Sequence, residues 1–134
     1  MKKLIFMMMF LLSSLGFSSM KDGIYYVEKS SVTGWTSFVK LTIKNERIIG
    51  AQYDRKSATG ELLSLNEKEN EKYKKEFGES FRETSFNMTR TLVSSQNATS
   101  ISGIKNNVAL SEFKEMVNYL IIKSNEGKAG NFKI

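Results

Sequence analysis

The sequence predicts a single small domain of the α+β class, in which an antiparallel sheet of three or more strands packs against helices. Asn45 and Glu46 lie between two segments in which apolar and polar residues alternate, a pattern typical of a β-hairpin. Two helix-start signals follow, and a regular apolar stripe near the C-terminus indicates an amphipathic helix. A length of 134 residues with 40% hydrophobic content provides for one core and not two.

The first eighteen residues are typical of a cleaved signal peptide. A pair of lysines precedes an apolar run from Leu4 to Leu12, and the small residues Gly16 and Ser18 suit a signal peptidase. Serines interrupt the apolar segment, which is shorter than the about 20 residues that a membrane-spanning helix needs. We therefore predict a periplasmic or secreted protein. Its predicted parts are a signal peptide at 1–18, a domain at 19–123 and a flexible tail at 124–134.

Composition excludes several classes of site. The chain has no cysteine, so neither disulfides nor a cysteine-linked lipid anchor are expected. It has no histidine, which removes histidine-based triads, histidine-ligated metals and the usual general base near neutral pH. We predict no metal site and a protein that is not an enzyme in its own right. Loss of Lys2 and Lys3 with the signal peptide lowers the formal net charge from +6 to +4, which does not favour nucleic acid as a partner.

Three strands are predicted in the first half of the domain. The segment from Asp22 to Ser30 is rich in strand-forming residues, and the run from Phe38 to Lys44 alternates between apolar and polar side chains. After the turn, a third strand continues the alternation, so the three form an antiparallel meander. The predicted core-facing residues of the hairpin are Val39, Leu41, Ile43, Ile49, Ala51 and Tyr53.

Two helices are predicted after the sheet. Asn66 and Glu69 have the spacing of a capping box, and Gly78 ends this first helix, whose body is so highly charged that it is typical of a solvated surface. Ser80 and Glu83 repeat the capping signal for a second helix, and we expect the two helices to form a hairpin. In this second predicted helix, the apolar residues on one line are Phe81, Met88 and Leu92, with Phe86 and Val93 beside them.

The last predicted helix has the strongest pattern in the chain. Ser111 is its predicted cap, and five apolar residues then follow in one stripe, which should lie across the apolar face of the sheet. Beyond Ser124 the glycines at 127 and 130 indicate a loose tail. The stripe consists of Phe113, Met116, Val117, Leu120 and Ile121.

Three short motifs occur in a fixed order along the predicted strands. They are DG-x-Y at Asp22, Gly23 and Tyr25, GW at Gly34 and Trp35, and YD at Tyr53 and Asp54. With the charged helix and the final amphipathic helix, this order resembles the FMN-binding domain family, in particular its small exported members of the membrane-immunogen or pheromone-lipoprotein type. The resemblance covers nearly the whole chain after the predicted signal peptide.

The functional element of that family is a loop of the form D-x-x-S-G-A-T ahead of the last helix. This loop surrounds the FMN phosphate, and its threonine is often covalently flavinylated. It aligns with residues 99–105, where Ser102 and Gly103 are retained. The aspartate, alanine and threonine of the pattern are replaced by Thr99, Ile104 and Lys105. Because lysine has no hydroxyl, the resemblance implies that no flavin is attached covalently.

Two functions stay open. In the first, the loop holds the phosphate of non-covalent FMN, and the chain serves extracytoplasmic electron transfer with a membrane redox partner. In the second, the loop only shapes a turn, and a flavin-free member of the family acts as a binding or interaction module. The candidate cofactor-binding residues are Ser102, Gly103, Ile104, Lys105 and Asn106.

Two other features are compatible with a ligand or with a purely structural role. Trp35 and Tyr53 could flank the flavin ring, although a tryptophan beside a strand is also typical of a core edge. The segment SATG at 57–60 resembles part of the family loop, but it does not precede the last helix, so we predict a simple turn there.

Removal of the signal peptide is directly testable. Because Gly16 and Ser18 provide the small residues that signal peptidase requires, the exported protein should begin near Ser19. Mass spectrometry of the exported protein measures the new N-terminus. Membrane-bound material that retains Met1 would contradict the prediction.

Overall fold

A computed structural model describes residues 20–30 and 34–134, and the predicted signal peptide at 1–18 lies outside these ranges. Within them the chain forms a single small α+β domain, as predicted. Short 3-10 turns at Leu63–Leu65 and Ala98–Ser100 precede the first and last helices. The regular elements are β1 (Gly23–Ser30), β2 (Thr36–Lys44), β3 (Arg47–Lys56), α1 (Glu67–Phe77), α2 (Phe81–Ser95), α3 (Asn107–Asn125) and β4 (Gly130–Lys133).

The four strands form one mixed sheet in the order β3-β2-β1-β4. β1 and β3 both pair antiparallel with β2, which confirms the predicted meander. β4 pairs parallel with β1, so the sheet is not wholly antiparallel. A parallel pair needs a long crossover connection, and α3 provides it.

The prediction of a flexible tail at 124–134 is wrong. α3 continues through Ser124, which is fully buried, and β4 follows after a short turn. The ring centroids of Phe132 and Tyr119 lie 5.8 Å apart, so Phe132 packs β4 against α3. The glycines and polar residues around Phe132 are typical of a loop, which is why the sequence predicts a flexible segment. The N–H of Ile134 also donates to the carbonyl of Glu28 at 3.0 Å.

The hairpin turn forms as predicted, but the register beyond it differs. Asn45 and Glu46 have φ values of 53° and 61°, the left-handed conformation that a two-residue hairpin turn requires. Ile48 then pairs with Ile43 and is buried, whereas Ile49 is 53% exposed, contrary to its predicted core position. The reason is a β-bulge, in which Ile49 is an extra residue that breaks the two-residue alternation.

Both predicted helix starts after the sheet are confirmed. Asn66 accepts a hydrogen bond from the Glu69 amide at 2.9 Å, and the capping box between Ser80 and Glu83 is complete. Gly78 ends α1 with a φ of 90°. A left-handed residue at this position ends a helix readily when it is glycine.

α2 contacts α1 but lies mainly along β3, so the two helices do not form a separate hairpin. The side chain of Gln96 accepts from the N–H of Ile48 and donates to its carbonyl, both at 2.8 Å. Ser85 donates to the carbonyl of Tyr53. This docking leaves Phe86 on the outer side of the helix, 62% exposed, although it is among the apolar residues that predict the helix.

α3 lies across the apolar face of the sheet, as its stripe predicts. Among the described residues, no helix has both the length and the apolar character needed to cross a lipid bilayer. Four stripe residues are buried and Ile121 is partly buried against the core. The buried four are Phe113, Met116, Val117 and Leu120.

The packing of α3 predicts a large effect of Leu120→Ala. Leu120 is fully buried, so the free energy of unfolding should fall by about 2 to 5 kcal/mol through lost contacts and the remaining cavity. Ile122→Ala on the same helix is the control, because Ile122 is 56% exposed and should cost less than about 1 kcal/mol. Chemical denaturation measures both, and equal effects would contradict this packing.

Candidate functional site

One cleft combines aromatic, charged and amide side chains near the start of α3. It lies between the beginning of β2, the end of β3, α1 and the first turn of α3, with a volume of about 700 Å³. We call it the aromatic cleft. Its aromatic, charged and amide lining residues are Trp35, Arg55, Glu69, Lys72, Tyr73, Glu76, Phe77 and Asn106.

The aromatic wall of the cleft comes from α1. Tyr73 and Phe77 are four residues apart and therefore lie on one side of the helix, with ring centroids 4.6 Å apart. Tyr73 also packs edge-on against Phe81 at 5.5 Å. Trp35, the single tryptophan of the chain, is partly buried and lines the cleft just before β2.

Asn106 connects the aromatic wall to α3. Its side-chain amide donates to the Tyr73 hydroxyl at 2.8 Å, and its carbonyl oxygen accepts from the amides of Val108 and Ala109 at 3.0 and 3.2 Å. Burial raises the pKa of Tyr73, so this hydroxyl stays neutral. Asn106 is therefore the cap of α3, and the predicted cap at Ser111 is wrong. Ala109 is the only residue in the first turn of α3 that is buried in the core. The apolar stripe, which begins at Phe113, therefore predicts a helix start several residues too late.

The predicted loop reaches the cleft only at its end. Of the five candidate cofactor-binding residues, Asn106 alone lines the cleft. Ser102 and Gly103 are exposed, Ile104 is buried in the core, and Lys105 is exposed. Gly103 has a φ of 76°, and no heavy atom lies within 4 Å of the position that a Cβ would occupy.

Lys105 and its amide face the end of α1 rather than the cleft. The Lys105 side chain lies over Gly78, with its Cδ 3.3 Å from the position of a Cβ there. The Lys105 N–H points at Glu79 Oε1 at 3.4 Å, and the same oxygen accepts from the Thr84 hydroxyl at 3.1 Å. A phosphate at this amide would have to displace the Glu79 carboxylate. The loop amides therefore suit a phosphate poorly.

Arg55 lies at the edge of the core, next to Tyr53 and Glu112. Its Nη2 is 3.3 Å from the Tyr53 hydroxyl and 3.6 Å from Glu112 Oε1, and its guanidinium lies 5.1 Å from the centre of the Phe81 ring. The Tyr53 hydroxyl donates to Glu112 at 2.6 Å. Sequence reasoning missed Arg55, although an arginine two residues after core-facing Tyr53 signals a charge on the inner face of the sheet.

Tyr53 cannot flank a ligand ring, because it is buried in the core. Its ring packs against Phe81 and Phe113 at centroid distances of 5.6 and 5.4 Å. Burial raises its pKa well above the usual value, so the phenol is neutral. Of the two aromatic residues considered for the flavin ring, only Trp35 is in position to contact a ligand in the cleft.

Several residues that carry the family resemblance have structural roles. Asp22 accepts from the Asn45 amide at 2.8 Å and so fixes the hairpin turn. Asp54 is buried and accepts from the amide and hydroxyl of Ser64 at 3.1 and 2.5 Å, which holds the turn before α1. The segment at 57–60 is a turn, as predicted.

The described part of the chain contains no group of three or more histidine, cysteine, aspartate or glutamate side chains that could hold a metal ion. This finding concerns residues 20–30 and 34–134 only. The polar chemistry of the cleft consists of amide, phenol, carboxylate and cationic groups.

Comparison with known proteins identifies the fold. No protein-family profile matches the chain, and no curated protein matches it. A crystal structure of a Clostridium perfringens protein is 21% identical, covers 86% of this chain and 97% of its own, and has a TM-score of 0.79. A solution NMR structure of a Clostridium thermocellum protein is 19% identical, with coverages of 83% and 95% and a TM-score of 0.53. At these identities the likeness establishes the fold alone.

The capping role of Asn106 predicts a specific loss of stability. Asn106→Ala removes the cap and leaves the Tyr73 hydroxyl without its donor, so unfolding free energy should fall by about 1 to 3 kcal/mol. Ser111→Ala is the control, since Ser111 is exposed inside α3 and should change stability by less than about 0.5 kcal/mol. Thermal and chemical denaturation measure both variants. A larger effect of Ser111→Ala would restore the cap predicted from sequence.

Proposed function

We propose that the chain is an exported module that binds FMN non-covalently in the aromatic cleft and takes part in electron transfer outside the cytoplasm. The observation that carries the proposal is the convergence of two separate motifs on one cleft. Trp35 belongs to the GW motif and Asn106 ends the loop that resembles the family's flavin element, yet both line the cavity beside Tyr73 and Phe77. These positions are far apart in sequence.

The size and wall of the cleft suit a planar ring. A volume of about 700 Å³ lies within the range of about 300 to 1,000 Å³ typical of small-molecule sites. Trp35, Tyr73 and Phe77 supply aromatic surface for stacking, and α1 holds the latter two in fixed positions. Asn106 and the neutral Tyr73 hydroxyl form a buried polar pair at one side, which can orient a ligand through hydrogen bonds.

FMN, when bound, supplies one- and two-electron redox chemistry, and the protein supplies position and surroundings. Trp35 and the α1 rings would enclose the ring system and limit its contact with water. The chain offers no histidine for proton transfer, and the buried Tyr73 holds its proton firmly. The role of the protein would therefore be to hold a redox group rather than to transform a substrate.

The flavin-free interaction module is the second candidate, and Glu79 favours it. The Glu79 carboxylate lies at the Lys105 amide, where the family loop would hold phosphate. A negative charge at this position repels a phosphate group. In this alternative the aromatic cleft binds another apolar or aromatic group of a partner.

Binding of FMN provides the direct test. Because Trp35 is the single tryptophan and lines the cleft, FMN should quench its fluorescence saturably, and flavin fluorescence should change in parallel. Phe77→Ala should weaken binding several-fold through lost stacking, whereas Phe86→Ala, which removes an exposed ring outside the cleft, should not. If no saturable binding occurs at tens of micromolar FMN, roughly −6 kcal/mol, the flavin-free module becomes the better answer.

Covalent attachment can be tested separately. Lys105 occupies the position of the flavinylated threonine, so the protein should carry no covalent flavin even when it is produced together with a flavin transferase. A denaturing gel viewed under ultraviolet light should stay dark at the mass of this chain. Fluorescence that survives denaturation would overturn the non-covalent assignment.

A further inference from the structure

We propose that Arg55 is the anion receptor of the aromatic cleft and selects planar ligands that carry a phosphate or carboxylate group. The inference rests on the proposed function in one respect, because it takes the cleft as a ligand site and FMN as its first ligand. It departs from the sequence-based expectation that Lys105 meets the phosphate.

The guanidinium of Arg55 has more donors than the described residues use. An arginine side chain has five N–H donors. Among the described residues, Nη2 is the guanidinium nitrogen that forms a hydrogen bond, at 3.3 Å to the Tyr53 hydroxyl. It also lies 3.6 Å from Glu112 Oε1, a distance too long for a hydrogen bond. Nε is buried and has no hydrogen-bond partner among the described residues. A buried donor without a partner is costly, so the described residues leave the guanidinium incompletely satisfied.

Glu112 does not satisfy Arg55, because its better partner is Tyr53. The carboxylate accepts from the Tyr53 hydroxyl at 2.6 Å, a full ångström shorter than its distance to Arg55. Burial keeps Tyr53 neutral, so the pair holds one negative charge beside the guanidinium. That charge positions Arg55 electrostatically while leaving its donors for a second anion.

The surroundings of Arg55 strengthen its attraction for an anion. Its side chain is only 20% exposed, and the Phe81 ring lies against the guanidinium. Charges interact more strongly at such a partly buried position than in bulk water. Arginine also presents a planar fork that matches phosphate and carboxylate oxygens in pairs.

The other two candidate cations are less suited to this task. Lys72 lines the cleft, but its side chain is 67% exposed and lies 3.7 Å from Glu69. Lys105 lies over Gly78, outside the cleft lining. Arg55 is therefore the cation that a ligand within the aromatic cleft meets at its buried side.

FMN and riboflavin test this selection, because they share the ring system and differ in the phosphate. Wild-type protein should bind FMN about ten- to a hundredfold more tightly than riboflavin, as expected for charge-assisted hydrogen bonds. Arg55→Gln should abolish the preference, while riboflavin affinity changes less than about threefold. Lys72→Gln and Lys105→Ala are the matched controls, and both should keep the preference.

Folding of the variants needs a separate check, because Arg55→Gln leaves Glu112 without a nearby cation. Circular dichroism and thermal denaturation identify a variant that fails to fold. In that event Arg55→Gln combined with Glu112→Gln removes both charges together. Arg55→Lys is a further test, since it keeps the charge but loses the planar fork, and it should retain only part of the preference.

A second probe pair separates failure of this inference from failure of the proposed function. Calorimetry with 1-naphthoate and 1-naphthalenemethanol compares an anionic with a neutral ring ligand. If neither flavin binds but naphthoate binds more tightly than its alcohol only when Arg55 is present, the proposed function fails and Arg55 remains the anion receptor. If FMN binds no better than riboflavin, or if only Lys105→Ala or Lys72→Gln removes the preference, the Arg55 inference is overturned while flavin binding stands. If no probe binds, both are overturned.

Discussion

Packing of α3 against one face of the β1–β2–β3 meander is the interaction on which the rest of the structure depends. Alternation in the strands gathers Val27, Val39 and Leu41 on that face, and these residues are fully buried. The α3 stripe covers them, and α2 extends the cover along β3. Because α3 also connects to β4, the same packing returns the chain to the far edge of the sheet and sets the position of Asn106 beside the cleft.

The aromatic cleft arises because α1 has little apolar surface to bury. Most of the helix body is charged, and its contribution to the core is limited to Tyr73, with Phe77 partly buried. Asn70 fixes one side of the helix by donating to the carbonyls of Leu63 and Asn66 at 3.0 and 2.8 Å. A helix held by polar contacts and two rings does not close against the sheet, so a cavity remains at the end of β3. Arg55 is near the end of β3 and therefore lines this cavity.

Ser85 in α2 and Gln96 directly after α2 hydrogen-bond to the free edge of β3. Gln96 pairs with both backbone groups of Ile48, and Ser85 satisfies the carbonyl of Tyr53. Such caps prevent an exposed strand edge from pairing with another chain. The β-bulge at Ile49 adds a local twist at the same edge, and exposed bulges serve the same purpose. These contacts therefore limit association of this edge of the sheet with another chain.

The sequence by itself determined the fold class, the hairpin turn, the starts of α1 and α2 and the buried stripe of α3. Each follows from neighbours within a few residues, such as the Ser80 and Glu83 pair or the spacing of Phe113 and Leu120. Only the tertiary structure decided the bulge at Ile49, the parallel pairing of β4, the Asn106 cap and the place of Arg55 in the cleft. The parallel pairing and the place of Arg55 depend on residues far away in sequence, and the bulge depends on which face of β3 the core covers, so local patterns carry no such information. The capping bonds of Asn106 are local, but the apolar stripe that indicates this helix begins only at Phe113. Of the five candidate residues in the predicted loop, Asn106 alone lines the cleft. Lys105 instead lies against Glu79 and Gly78, and Ile104 is buried in the core.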